Sequence, residues 1–333
     1  MHILVTNDDG PPSPQSSPYI STFVSALHLA GHTTTVVVPS SQKSWIGKAH
    51  IAHTTATTRS KPFKTDIFNA SSADQHPEDW ILVDGTPATC TQLGLGYYKP
   101  GEKWGEGFDL VVSGPNYGRN STSVFALSSG TLGGAMEAVT CKKKAIALSF
   151  AFNSREHNPA DIMAASKASV TIIEKLMASW PKDVEIFSIN VPLGSEHLRE
   201  GATPQVEFTK LLSNTWHSGP CFQEMKGEFF DEESDGADER EHEIRENEEN
   251  AQRRGGDGKE EGDKEPKQER PNKRVRKFKW APVFKDIADS VEKAGPGYDG
   301  WALTQGVISI TPLRAAFEQV RLADAELEGL KFF

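Results

Sequence analysis

The sequence predicts an α/β fold, a Rossmann-like, doubly wound and mostly parallel sheet with a smaller C-terminal β-hairpin and helix extension. Three observations carry this expectation. Short continuous apolar runs recur from Ile3 to Val191, as in strands covered on both faces. Segments with apolar residues at helical spacing separate those runs, so strand and helix alternate. Loops rich in Asp, Ser, Asn and Gly follow the strands, and the strand ends are where open α/β sheets bind their ligands.

The elements follow in order. Ile3-Leu4-Val5-Thr6 is a strand that runs into Asn7-Asp8-Asp9-Gly10, and Gly10 with Pro11-Pro12-Ser13-Pro14 supplies a turn. Tyr19 to Ala30 reads as a helix, with Ile20, Phe23, Val24 and Leu27 at helical spacing and Gly31 as its stop. Thr33 to Val38 is a strand, ended by Pro39 and the polar loop Ser40–Trp45. Residues 50–79 are rich in Thr, Ser and Lys and poorly periodic. Trp80 to Val83 is a strand, and Pro87 sits at the first helical position of a helix that continues from Ala88 to Tyr98. Phe108 to Val112 is a strand ending in the loop Ser113–Asn120. Ser128-Ser129-Gly130-Thr131 opens a helix through Val139. Then come a strand over Ala145 to Phe150, a helix over Asp161 to Ala178 and a strand over Val184 to Val191. From Gln205 the weak alternation of Val206, Phe208 and Lys210 reads as a β segment outside the parallel core. Phe278 to Pro282 restores order, and Trp301 to Pro312 alternates toward a last strand over Gly306 to Pro312.

This reading divides the chain into a core over residues 1–225, a charged low-complexity insertion over 226–277, and a β segment and helix over 278–333 that complete the core. The insertion is dominated by Glu, Asp, Lys, Arg and Gly. Such a composition buries too little apolar surface to offset its ordering entropy, so disorder is expected there. Its Lys273–Lys277 end reads as charge balance beside an acidic run ahead of a nuclear-import or nucleic-acid patch.

Composition narrows the function classes. The 333 residues carry a formal charge of -10 and a pI near 5.5, which argues against a general affinity for nucleic-acid backbones. Cys90, Cys141 and Cys221 are far apart and odd in number, against a disulfide framework and a cysteine zinc site. No apolar run approaches the ~20 residues that span a bilayer, so no membrane contact is expected. The first residues already form a strand, with no visible signal sequence, and the expected location is cytoplasmic, with the nucleus as the alternative.

Chemistry gathers at the strand ends. Asp8 and Asp9, a hydroxyl of the Ser40–Ser44 loop and the amide of Asn116 make a hard-oxygen set suited to Mg²⁺ or Mn²⁺. No cluster of His or Cys competes for zinc. Ser129-Gly130-Thr131 at a helix start presents backbone N–H groups and hydroxyls to an anion. Gly133-Gly134-Ala135 lets that helix lie close to the sheet. Taken alone, Asp-Asp-Gly reads as a solvated turn and Ser-Gly-Thr as an ordinary N-cap. Taken together, a cation site beside an anion site makes a place for a phosphate.

The ordered set of motifs resembles the SurE family. It comprises Asn7-Asp8-Asp9-Gly10, Val36-Val37-Val38-Pro39 followed by Ser44, and Asp84-Gly85-Thr86-Pro87. It continues with Val111-Val112-Ser113-Gly114-Pro115-Asn116 and Asn120 beyond, Ser129-Gly130-Thr131 before Ala135-Met136-Glu137, and Ser309-Ile310-Thr311-Pro312-Leu313. The resemblance implies a metal-dependent phosphatase acting on nucleoside monophosphates and related phosphomonoesters. It implies metal ligands Asp8, Asp9, Ser44 and Asn116, with Asp8, Asp9 and Asn116 also serving catalysis. Phosphate contacts would come from Asn120, Ser129, Gly130 and Thr131. It further implies a homodimer, or a dimer of dimers, that exchanges C-terminal segments. Two departures stand out: Ser40 replaces an acidic residue frequent in the family, and bacterial members lack the 226–277 insertion, which fungal-type members show.

Other readings of the same rim are a broad-specificity acid phosphatase or polyphosphatase, a phospho-aspartyl enzyme, a receiver-like signalling domain, and a non-catalytic nucleotide-binding scaffold. Trp45, His50 and His53 read as loop packing ahead of contacts to a substrate base. Trp280 and Trp301 read as subunit or subdomain packing.

Overall fold

The computed structural model describes residues 1–51, 55–63, 78–152, 157–199, 201–225 and 277–318. The N-terminal half runs β1 (His2–Thr6), α1 (Ile20–Leu29), β2 (Thr33–Pro39), β3 (Thr58–Phe63), β4 (Glu78–Val83), α2 (Pro87–Tyr97), β5 (Leu110–Tyr117), α3 (Ser123–Ser128) and α4 (Gly130–Thr140). It continues with β6 (Ala145–Ala151), α5 (Pro159–Ala178), β7 (Ile186–Pro192), a 3₁₀ turn at Glu196–Leu198, β8 (Val206–Phe208), β9 (Phe222–Glu224), β10 (Phe278–Trp280), α6 (Lys285–Ala294), α7 (Asp299–Thr304) and β11 (Ile308–Leu313).

Among the described residues one nine-stranded sheet has the order β3-β4-β2-β1-β5-β6-β7-β11-β8. The pairs from β4 through β7 are parallel, while β3 and β11 join antiparallel to β4 and β7. Strand β1 therefore lies between β2 and β5, and its C-terminal end opens at the point where the strand order reverses direction. That is the position at which such sheets place a ligand.

Successive residues of β1 face opposite layers. Ile3 and Val5 pack with Phe23 and Leu27 of α1 and Ile173 of α5. Leu4 packs on the other side with Leu95 of α2 and Ala135 and Ala138 of α4. Phe23 and Leu27 are fully buried, worth about 1.5–3 kcal/mol each by transfer from water. Helix starts are set locally. Thr86 caps α2 by accepting from Thr89 N, Asn158 caps α5 by accepting from Ala160 N, and Pro87 and Pro159 follow those caps. Among the described residues, no helix is long and apolar enough to cross a membrane.

The mostly parallel α/β sheet and the small antiparallel hairpin of β9 and β10 agree with the fold expected from the sequence. Several elements differ. Strand β3 lies in the stretch read as aperiodic, because residues 58–62 of this edge strand are exposed and no buried face imposes alternation. Strand β5 runs through Tyr117 rather than stopping at Val112, so Asn116 is a strand residue and not a loop residue. Its register shifts between Ser113 and Asn116, around a cis Gly114–Pro115 bond, where the ladder tolerates a proline. Strand β8 is not outside the core sheet but forms its far edge, pairing parallel to β11. Trp301, at the start of that alternation, belongs to α7, and the last strand expected over Gly306 to Pro312 is β11, Ile308–Leu313. Helix α3 went unread, and the helix expected without bounds in the C-terminal extension is met by α6 and α7. The insertion expected over 226–277 lies outside the described residues except for Lys277, whose carbonyl accepts from Met225 N at 2.9 Å. Residues 319–333 and His53 also lie outside them.

Candidate active site at the end of the first strand

The turn after β1 is closed by Asn7. Its Nδ2 donates to Gly10 O at 2.8 Å and to Ser17 Oγ at 3.1 Å, and its Oδ1 accepts from Gly10 N at 3.1 Å. Gly10 sits at φ +83°, a conformation that costs a glycine little. This turn redirects the chain so that adjacent carboxylates need not point to opposite faces. Asp8 and Asp9 are 3% and 1% exposed.

Each acid is held by a different distant element. Asp8 Oδ1 accepts from the Thr131 hydroxyl at 2.6 Å, and Asp8 O accepts from Lys43 N at 2.6 Å. Asp9 Oδ2 accepts from Tyr117 N at 2.6 Å. Gln42 Nε2 approaches Asp9 Oδ1 at 3.4 Å and donates to Ser44 Oγ at 3.1 Å, which brings Ser44 to the acid pair. Asn116 donates its Nδ2 to Gly118 O at 2.9 Å, leaving its carbonyl oxygen as the end available to a cation.

The loop carrying Ser44 is fastened along its length. Trp45, at φ +61°, packs against Phe125, Trp280 and Phe284. Gly47 N donates to Ser128 O at 2.9 Å, and Ala49 O accepts from the Thr86 hydroxyl at 2.5 Å. Lys48 Nζ and His50 Nε2 lie 2.6 and 3.4 Å from Glu137 Oε2 of α4, and Gln92 donates to the other oxygen of that carboxylate. Burial pushes the Glu137 carboxyl up, but the hydrogen bonds from Lys48 and Gln92 and the charges of Lys48 and His50 outweigh it, so the net shift is below the usual carboxylate range. Trp45 and His50 thus act in loop packing, as the sequence suggests. Trp280 packs this loop from the β9–β10 hairpin.

The anion side is built on the start of α4. Ser129 is its N-cap and accepts from Leu132 N at 3.1 Å. Gly133 N donates to Ser129 O at 3.0 Å, so the amides of Gly130 and Thr131 are the ones at this helix start without a helical acceptor. A Cβ at Gly130 would lie 2.7 Å from Asp8 Cβ and 2.9 Å from Asp8 Oδ2, so only glycine lets this helix start close upon the acid. A Cβ at Gly134 would lie 2.8 Å from Ser113 Oγ, which bears out the close helix–sheet approach expected there. Asn120 stands apart from the acids in its contacts. It donates through Nδ2 to Ser149 Oγ at 2.9 Å and through its backbone N to Asn190 Oδ1 at 2.8 Å.

The structure therefore joins Asp8 to Thr131 and Asp9 to Ser44 through Gln42. Sequence reasoning missed Gln42, Ser149 and Asn190. A polar residue inside the apolar run Ile186–Val191 was the available signal for Asn190. Among the described residues no three His, Cys, Asp or Glu cluster as a metal site. A cation at this rim would be held by the mixed set of two carboxylates, a hydroxyl and an amide oxygen, which fits a hard divalent ion.

Comparison with known proteins identifies the family. The model of the family "Survival protein SurE" matches residues 3–218. The chain is 32% identical to "Probable tubulin--tyrosine ligase PBY1" of Saccharomyces cerevisiae over 98% of its own length, but that covers 43% of the yeast protein. It is 31% identical to "5'-nucleotidase SurE" of Pelobacter propionicus, over 58% of this chain and 66% of the relative. The chain thus spans less than half of the yeast relative and just under two thirds of the bacterial one. The crystal structure of the SurE protein from Aquifex aeolicus superposes with a TM-score of 0.58 at 21% identity, covering 100% of this chain and 99% of that one. The motifs, the sheet order and the family match converge, and the chain belongs to the SurE family.

Proposed function

We propose that the chain is a metal-dependent phosphomonoesterase that releases phosphate from nucleoside 5′- or 3′-monophosphates and related phosphate esters. One observation carries this reading: the Thr131 hydroxyl touches Asp8, so the anion-binding helix start and the acid pair form a single site. The family match and the nucleotidase names of the bacterial relatives support it. The yeast relative bears a ligase name, but an acid pair against a helix N-terminus favours phosphate release.

In this reading Asp8, Asp9, Ser44 and Asn116 hold one Mg²⁺ or Mn²⁺ ion. When bound, the ion supplies positive charge to the phosphoryl oxygens and acidity to a bound water. The α4 amides, those of Gly130 and Thr131 among them, the Ser129 hydroxyl and the second N–H of Asn120 bind the phosphoryl oxygens, while the Thr131 hydroxyl stays on Asp8. One carboxylate of the pair orients the attacking water and takes its proton. The water oxygen bonds to phosphorus as the ester P–O bond breaks in line, and the departing alkoxide takes up a proton. Enhancements for phosphate-monoester hydrolysis reach ~10²¹, about 28 kcal/mol, whereas one hydrogen bond to a charged group gives about 1.5–3 kcal/mol. Protein donors alone fall short of that range, which is why a cation is part of the proposal. On the family resemblance, the assembly proposed is a cytoplasmic homodimer or dimer of dimers.

The test is a screen of purified protein against nucleoside 5′- and 3′-monophosphates, polyphosphate and an aryl phosphate, with Mg²⁺, Mn²⁺ or EDTA. Phosphate release with metal and none in EDTA is expected. Turnover should vanish in Asp8→Asn and Asp9→Asn while the circular dichroism spectrum is retained. Full activity in EDTA, or in either variant, overturns the proposal.

A further inference from the structure

We infer that Asn190 is a positioning residue for the phosphate site, acting through Asn120; this rests on the phosphatase reading above. Asn190 lies in β7 and is fully buried. Its register partners are Ser149 of β6 and Ser309 of β11, and Ser149 is in turn the partner of Asn116 of β5. Register partners on neighbouring strands share a face. One polar row therefore crosses four strands beneath the rim, from the proposed metal ligand Asn116 outward.

That row grips Asn120 twice. Asn190 Oδ1 accepts from Asn120 N at 2.8 Å, and Ser149 Oγ accepts from Asn120 Nδ2 at 2.9 Å, both buried. Two residues later the chain is fixed again. Thr122 adopts φ +70°, unusual for a β-branched residue, and its N–H donates to Asp299 Oδ2 at 2.7 Å. The loop thus has no freedom at Asn120 to choose another side-chain direction, and the amide keeps one N–H beyond the one given to Ser149.

The other half of the Asn190 amide shows what the residue is for. Among the described residues, Asn190 Nδ2 is buried with no hydrogen-bond partner, as is the Ser309 hydroxyl opposite it. A leucine here would fill similar space without the unmet Nδ2, but it would leave the buried Asn120 N–H without its acceptor. A buried polar group left half satisfied is a cost that a fold tolerates where the satisfied half has a task. The task visible here is the hydrogen bond to Asn120. Asn190 accordingly sets phosphate affinity and leaves cation affinity alone, since Asp8, Asp9 and Ser44 are held by other elements and the Asn116 side chain, though in the same row, is held by Gly118 O.

The experiment uses the full chain loaded with Mn²⁺ and titrated calorimetrically with inorganic phosphate, with Mn²⁺ binding measured separately. Asn190→Ala should weaken phosphate binding about tenfold while the Mn²⁺ dissociation constant stays within about twofold. In an Asn120→Ala background the same substitution should cost less than about threefold, because its effect passes through the missing side chain. If Asn190→Ala does not fold, Ser149→Ala removes the second anchor of Asn120 and carries the same expectation. Unchanged phosphate affinity, parallel loss of Mn²⁺ affinity, or equal losses in both backgrounds overturns the inference. Wild-type protein that binds phosphate this way yet hydrolyses no ester overturns the phosphatase reading and leaves the inference standing.

Discussion

The Thr131 hydroxyl donates to Asp8 Oδ1 at 2.6 Å across 123 residues of sequence. The contact exists because Gly130 has no side chain, for a Cβ there would overlap the Asp8 side chain at 2.7 Å. Gly130→Ala should therefore force α4 away from the acid pair. A misplacement near 1 Å in a reacting geometry costs about 10²-fold. Phosphate release should fall by at least that factor while the melting temperature shifts only slightly. Wild-type kinetics in this variant would show that α4 and Asp8 do not share a site.

Gln42 links the acid pair to the serine loop through its contacts to Asp9 and Ser44. Gln42→Ala removes a hydrogen bond worth about 0.5–1.5 kcal/mol, equivalent to roughly threefold to tenfold. The Mn²⁺ concentration for half-maximal activity should rise by that factor, with the rate at saturating Mn²⁺ nearly unchanged. A fall in the saturated rate with no change in the midpoint would contradict Gln42's placement at the metal side.

Glu137 is buried and holds the Ser44 loop through Lys48 and His50. Its carboxyl lies below the usual range in the folded protein. A depressed carboxylate contributes stability that is present above its unfolded value, about 4.3, and is lost as pH falls below that through the folded value. Glu137→Gln should cost about 1.5–3 kcal/mol at pH 7, the range for a charged hydrogen bond. The deficit should shrink as the pH drops below about 4. Urea titrations at pH 7 and in the acid range measure both, and a deficit independent of pH would rule this account out.

Asp299 fastens the loop beyond Asn120 to α7. It accepts from Thr122 N at 2.7 Å, Leu212 N at 3.1 Å and Gly300 N at 2.8 Å. Burial raises its carboxyl above the usual range, against the pull of these backbone donors. Asp299→Asn puts an amide N–H where an acceptor is needed, leaving one buried donor unmet at a cost of about 1–3 kcal/mol. Denaturant unfolding should show that loss, and hydrogen exchange should show earlier opening near Thr122. Unchanged protection of Thr122 N–H would mean that the carboxylate does not fasten the loop.

The strand runs of residues 3–6, 36–38, 80–83 and 145–150 were legible because they lie in the core, and burial writes apolar residues directly into the chain. The two ends of the site were legible for the same local reason: Asp8-Asp9-Gly10 and Ser129-Gly130-Thr131 each carry a turn or cap signature. Strand β3 was not, because an exposed edge strand answers to no buried face. Asn116 was misplaced into a loop because Gly114-Pro115 reads as a breaker, whereas here the sheet absorbs it as an irregular register.

By itself the sequence determined the alternation of strand and helix and the polarity of the loops after each strand. Both depend on the few residues around each position, and periodic burial records them. Only the tertiary structure decided that Thr131 meets Asp8, that Gln42 joins Asp9 to Ser44, and that Asn190 reaches up to Asn120. Those pairings depend on strand order and register, which arise when distant segments pack together, and no local pattern encodes them.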